Sequence, residues 1–170
     1  KSGPSGGAKF LEIVTTSGED VSGYTIAVYD DSGLLEQTLS FGSVDATFAG
    51  RTGYVVEEAD GLTGAFSNDW SVAIVDDTGT VVEFIGLRTP PTALDGPAAG
   101  LTARSIGNSQ TTGSLSTNDG GATYTQGSTT KGTIPCYAPG TLIDTPTGPR
   151  EVERLRPGDL GDQGHRTSAR

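Results

Sequence analysis

Two near-identical turns constrain this chain more than anything else in it. Asp30-Asp31-Ser32-Gly33 and Asp76-Asp77-Thr78-Gly79 stand 46 residues apart, each between runs rich in β-branched residues. Asp accepts hydrogen bonds from the backbone just ahead of it, and Gly takes the positive φ that reverses the chain. An Asp-Gly-type turn between such runs is a hairpin signal. The first hairpin pairs Tyr24–Tyr29 with Leu34–Phe41, and the second pairs Val72–Val75 with Val81–Leu87. In the first, period two puts Ile26 and Val28 on one face and Thr25, Ala27 and Tyr29 on the other. The flanks differ, so these are two similar hairpins and not a duplication.

The rest of the first 126 residues reads the same way. Phe10–Thr15 is a strand, Ser17-Gly18-Glu19-Asp20 a turn and Tyr54–Glu57 a shorter strand. Pro90-Pro91 ends the second hairpin, and residues 88–112 read as a long surface loop. Gly113–Thr117 and Ala122–Gln126 are short final strands. Gly and Pro make up 35 of 170 residues, against roughly 12% in ordinary chains. Both destabilise helix interiors, and no helix is expected. Six to eight short strands over residues 9–126 predict a small antiparallel sandwich, with Phe10, Tyr24, Phe41, Trp70 and Phe84 in its core.

Charge and composition narrow the function classes. The net charge is −10. Residues 1–131 hold 6 basic and 16 acidic side chains, whereas residues 132–170 hold 5 of each. That shift marks a segment boundary. An acidic chain argues against nucleic acid as a partner, because phosphate binding needs a basic face. No apolar run approaches the ~18 residues of a membrane span. The partner class expected is a protein or a surface. Cys136 is the one cysteine and His165 the one histidine, which excludes an internal disulfide and a cysteine-based zinc site. A hydrolase triad would have to use His165, in a polar C-terminal stretch. No secretory leader pattern opens the sequence, and Lys1–Ala8 reads as a linker.

Two acidic features are candidate sites. Asp30, Asp31, Asp76, Asp77 and Asp119 offer oxygen ligands, so calcium is the one cofactor to consider. No stretch has the spacing of a dedicated calcium loop, and turn chemistry accounts for the same residues. Glu57 and Glu58 are a carboxylate pair, but neighbours on a strand point to opposite faces and do not converge.

Cys136 carries the chemistry of the second segment. It follows the polar stretch Gly127–Gly132 in Gly132-Thr133-Ile134-Pro135-Cys136-Tyr137-Ala138-Pro139-Gly140-Thr141. Thr141–Thr145 reads as a strand, Pro146–Pro149 as a tight turn and Glu151–Leu155 as a short amphipathic piece. The bland reading of Cys136 is a small buried thiol.

Residues 136–160, CYAPGTLIDTPTGPREVERLRPGDL, resemble the opening of a bacterial Hint (hedgehog/intein) domain. The leading Cys, the Gly-Thr that follows, the strand, the Gly-Pro-Arg turn and the Val-Glu-x-Leu-x-x-Gly-Asp stretch carry the likeness. The resemblance implies that Cys136 is a catalytic nucleophile making an N-to-S acyl shift at Pro135–Cys136, with Thr141, Gly158 and Asp159 structural. A complete Hint domain runs well over a hundred residues and supplies a Thr-x-x-His-type motif. Gly161–Arg170 does not resemble that continuation, and His165 is out of place for it. The expectation is an incomplete Hint start in which Cys136 lacks its base and is inactive in this chain.

The first segment resembles the lamin-tail family. Phe10–Val14, Val21–Tyr29 and Gly113–Ser116 carry that likeness, with Tyr24 where the family often has Trp. It implies an immunoglobulin-like β-sandwich used for binding or display, secreted or at a bacterial cell surface. The expected organisation is a lamin-tail-like sandwich over 9–126, a linker over 127–135, the Hint start over 136–160 and an unmatched tail over 161–170. The expected function is a non-catalytic binding or passenger module. The alternative is cysteine-dependent autoprocessing in a complete parent protein.

Overall fold

The structure is a computed structural model and describes residues 9–48, 50–63, 70–108, 113–117, 119–133, 142–143, 145–146, 148–151 and 154. The chain divides into two compact units, Lys1–Ile134 and Pro135–Arg170. The fold is all-β, as the turn and alternation signals require. No helix among the described residues is long and apolar enough to cross a membrane.

In the first unit the two hairpins lie side by side. Strand β2 (Thr25–Tyr29) pairs antiparallel with β3 (Leu35–Ser40), and β6 (Ser71–Val75) with β7 (Val81–Gly86). Then β2 pairs antiparallel with β6, Ile26 opposite Ile74 and Ala27 opposite Ala73. The second sheet holds β1 (Phe10–Thr16), β5 (Arg51–Glu57) and β4 (Ala46–Phe48) in the order β1-β5-β4. A 3-10 turn at Glu58–Asp60 follows β5. The larger sheet runs β3-β2-β6-β7 and ends on β8 (Arg104–Ser105), which lies parallel to β7.

These orders are those of an immunoglobulin-like sandwich. The order β1-β5-β4 corresponds to strands B-E-D, and β3-β2-β6-β7 to C′-C-F-G. Between the sheets lie Ile26 and Val28 of β2, Val72 of β6 and Tyr54 and Val56 of β5, all buried with Val21, Phe41 and Leu62. Leu11, Ile13, Leu39 and Ile74 pack against them. Each such aliphatic side chain contributes about 1.5–3 kcal/mol by leaving water. Phe41 is the aromatic pivot, edge-on to Tyr54 at 5.5 Å and to Tyr24 at 6.1 Å.

Two of the five expected core aromatics are buried, Phe41 and Phe84. Tyr24 and Trp70 pack against the core while partly exposed. Phe10 is half-buried and belongs to neither core cluster, because period two sets it on the face of β1 opposite Leu11 and Ile13.

The stretch from residue 88 departs most from its reading. Within residues 88–112, expected as a surface loop, residues 88–103 instead form a strap over the outer face of the larger sheet and lead into β8. Ala93, Ala98 and Ala103 are buried there with Ala27, Tyr29, Ala73, Val75 and Phe84. Both faces of β2 and β6 are therefore covered, by the second sheet and by the strap. Small side chains allow the close approach: alanine on Ala27 and Ala73 of the sheet meets alanine on the strap. The strap closes on itself through Ala93 N–H to Leu101 C=O (2.9 Å), Gly100 N–H to Ala93 C=O (2.8 Å) and a Thr92–Thr102 bridge.

A further hairpin, β9 (Ser114–Ser116) with β10 (Thr125–Gly127), follows in sequence. Gly127, placed in a linker by the sequence reading, sits in β10, and Lys131 is ion-paired with Glu57 of β5. Strands β4 and β8 carry no sequence signal of their own: each is three residues or fewer.

In the second unit, β11 (Leu142–Ile143) pairs with β12 (Arg150–Glu151) around a turn. Gly148 N–H donates to Thr145 C=O at 2.9 Å, and Thr145 Oγ1 donates to Gly148 C=O at 2.6 Å. The expected strand is present over Leu142–Ile143 with a turn after it; the chain then returns as the two-residue strand Arg150–Glu151, which the sequence did not suggest, and most of the expected amphipathic piece over Glu151–Leu155 lies outside the described residues.

Candidate functional site

Cys136 lies outside the described residues, as do Pro135, Thr141, Gly158, Asp159 and His165. What the structure describes of this segment is the β11–β12 hairpin that follows the cysteine. Leu142 stands opposite Glu151 and Ile143 opposite Arg150. The Gly148 turn at φ 106° reverses the chain where the Gly-Pro-Arg sequence occurs.

The acidic turns are built by their own hydrogen bonds. Asp30 Oδ1 accepts from Ser32 N–H and Leu34 N–H, both at 2.9 Å. Asp76 Oδ1 accepts from Thr78 N–H at 2.9 Å, Thr80 N–H at 2.8 Å and Thr78 Oγ1–H at 2.7 Å. Asp119 accepts from Thr117 Oγ1–H at 2.7 Å and from the Thr123 N–H at 2.9 Å. The Thr123 hydroxyl holds the Asp119 carboxyl down to a pKa of about 2, helped by its N–H. The Thr78 hydroxyl lowers that of Asp76. At Asp30 desolvation works the other way, and donation from Leu34 and Ser32 outweighs it to lower the carboxyl. One carboxylate oxygen each of Asp30, Asp76 and Asp119 is thus engaged in forming its turn. Among the described residues no three His, Cys, Asp or Glu side chains are grouped to hold a metal.

Glu57 and Glu58 do not converge. Glu57 ends β5 and pairs with Lys131, while Glu58 opens the exposed 3-10 turn. A polar groove of about 300 Å³ lies beside Glu57, lined by Asp45, Val55, Asp60, Lys131 and Gly132 among others. Sequence reading missed this grouping, because its members come from three separated segments. Its acids serve the strand ends: Asp45 Oδ2 accepts Val55 N–H at 2.7 Å and Asp60 Oδ2 accepts Glu57 N–H at 3.0 Å. These are the N–H groups of β5 that lie beyond the short strand β4. Nearby, burial raises the pKa of Glu12, the Gly132 N–H lowers it in part, and the charge on Asp45 raises it further.

On the other sheet, Arg104 Nη2 donates to Glu83 Oε1 at 2.9 Å, and its guanidinium lies 5.7 Å from the centre of the Tyr124 ring. That contact ties residues after β9 to β7 and β8.

No curated protein and no solved structure matches the chain. One family model does, and its match begins at the boundary between the two units and includes the β11–β12 hairpin. Residues 135–161 match the Hint domain, which supports a Hint-domain segment opening beside Cys136.

Proposed function

We propose that residues 9–126 form a lamin-tail-like, non-catalytic binding or passenger module of a bacterial Hint-domain protein, secreted or surface-displayed, with residues 127–135 leading to Cys136. One observation carries this reading: the first compact unit ends at Ile134, and the Hint match begins at residue 135. The sandwich has its own two-sided core, as an independently folding module requires. Asp30, Asp76 and Asp119 form turns, and Asp45 and Asp60 cap the end of β5.

Limited proteolysis tests the module. Residues 9–126 should survive as a stable core while residues 132–170 are nicked first, since a two-strand hairpin by itself buries little apolar surface. Survival of the C-terminal residues together with the core would overturn this division.

A second reading rests on the position of Cys136, one residue inside the matched span. In it, the Cys136 thiol gives up its proton and its sulfur attacks the Pro135 carbonyl carbon. The C–S bond forms, the Pro135–Cys136 C–N bond breaks, and the proton goes to the released Cys136 amine. Water or a second nucleophile then resolves the thioester. The passenger reading expects no change of intact mass with added thiol, in the parent chain or in Cys136→Ala. A thiol-dependent cleavage at Pro135–Cys136 that Cys136→Ala abolishes would establish the second reading instead.

A further inference from the structure

We propose that the outer edge of β1 is a strand-addition surface that takes a second copy of this chain. The inference rests on the first unit alone and does not depend on what residues 135–170 do. Among the described residues β1 has β5 on one side and no ladder on the other.

The hydrogen-bond parity shows which groups face outward. Ser17 N–H donates to Gly50 C=O at 2.8 Å, in step with the register Thr16 to Arg51. Alternation then turns Thr15, Ile13 and Leu11 toward β5, and Phe10, Glu12, Val14 and Thr16 away from it. The far side of β5 agrees. Val55 and Glu57, which stand opposite Glu12 and Phe10, send their N–H groups to Asp45 and Asp60 and not to β1.

Other edges are shorter or partly capped. Strand β4 has three residues and β8 two. The carboxylates of Asp45 and Asp60 cap what β4 leaves open on β5, and Asp95 Oδ1 accepts the outward Leu35 N–H of β3 at 2.7 Å. Strand β1 is seven residues, FLEIVTT, in unbroken register, with neither Pro nor a bulge, two of the devices by which proteins blunt an edge; Glu12 is its one charged side chain.

The edge is complementary to itself. An antiparallel copy centred on Ile13 brings the outward residues of one strand onto the outward residues of the other: Phe10 meets Thr16, and Glu12 meets Val14. Leu11 and Ile13 of both copies continue one apolar face. Centring on Glu12 instead would set two carboxylates directly opposite each other, which is unfavourable. With Ile13 at the centre, Lys9 falls opposite Ser17 of the second copy, two residues before Glu19, so the ends of the pairing attract. At physiological salt the screening length is about 8 Å, so these local charges weigh more than the net −10.

The test is sedimentation velocity on the full chain over a concentration series, with hydrogen exchange read at Glu12 and Val14. The wild type should dimerise with concentration, and both amides should slow as it does. Val14→Pro removes an outward N–H and no bond to β5, so it should weaken the dimer at least tenfold with an unchanged circular dichroism spectrum. If that variant misfolds, Val14→Lys keeps the N–H and places a charge on the edge, and it should give the same weakening. A wild type that stays monomeric up to about 1 mM overturns the proposal. So does a dimer that a folded Val14 variant leaves unchanged.

Discussion

The two hairpin turns are close copies in bond geometry and opposites in surroundings. In each, the first Asp donates its N–H to the C=O of the residue four on, Asp30 to Leu34 at 3.0 Å and Asp76 to Thr80 at 2.9 Å, and accepts that residue's N–H on its side-chain Oδ1. Gly33 and Gly79 sit at φ 87° and 84°. Both strand pairs shift register just before the turn, as a three-residue loop with a left-handed glycine demands. Yet a Cβ on Gly79 would meet nothing within 4 Å, whereas one on Gly33 would lie 2.2 Å from Thr92 C=O of the strap. Leu94 N–H donates to Gly33 C=O at 2.8 Å, and Ala98 N–H donates to the Tyr29 hydroxyl at 2.9 Å. The residue before the second turn is Val75, which has no hydroxyl to hold anything. Near-equal local sequence made equal turns, and the bonds from Tyr29, Gly33 and Leu35 to the strap set the first turn apart.

Glycine replacement separates the two turns most sharply. Gly79→Ala meets only the left-handed strain, roughly 1–2 kcal/mol. Gly33→Ala adds a collision with strap backbone and should cost roughly 2–5 kcal/mol. Urea unfolding midpoints of the two variants check this, and equal losses would show that the strap moves aside freely.

Removing the anchor comes next in size. Tyr29→Phe leaves the buried Ala98 N–H without its acceptor, a loss of about 1–3 kcal/mol. Hydrogen exchange should show the strap amides of Ala93, Ala98 and Leu101 opening faster, while those of the Asp76 turn keep their rates.

The smallest effect is the one the turns share. Their leading carboxyls are held below the ordinary value, near 3.9 when unfolded. A depressed folded pKa contributes stability that is complete above about pH 4 and is lost as pH falls through the folded value. For Asp119 that value is about 2. Stability measured by urea titration should therefore decline from about pH 4 toward pH 2, and Asp119→Asn should flatten part of the decline. Glu12 has the opposite sign, since burial raises its pKa and protonation relieves the cost of its charge.

The candidate site divides along the same line between local and non-local information. The cysteine, the strand and the Gly-Pro-Arg turn were legible because each is written in adjacent residues, and the hairpin at 142–151 follows that text. The carboxylate groove at Glu57 was not legible, because Asp45, Asp60 and Lys131 meet only after β4, β5 and the segment beyond β10 are placed.

Sequence alone determined the strands with strong alternation, the turns between them and the all-β class. Backbone sterics and Asp or Gly turn chemistry act over a few residues and need no partner. Tertiary structure decided the strap. Pro, Gly and Ala between residues 90 and 103 read as loop by composition, since no period marks a buried face. Only when β2 and β6 pair do Ala27 and Ala73 form a shallow apolar surface that short side chains can approach closely. Burial there rewards a fit between two distant segments, and neither segment records that fit in its own sequence.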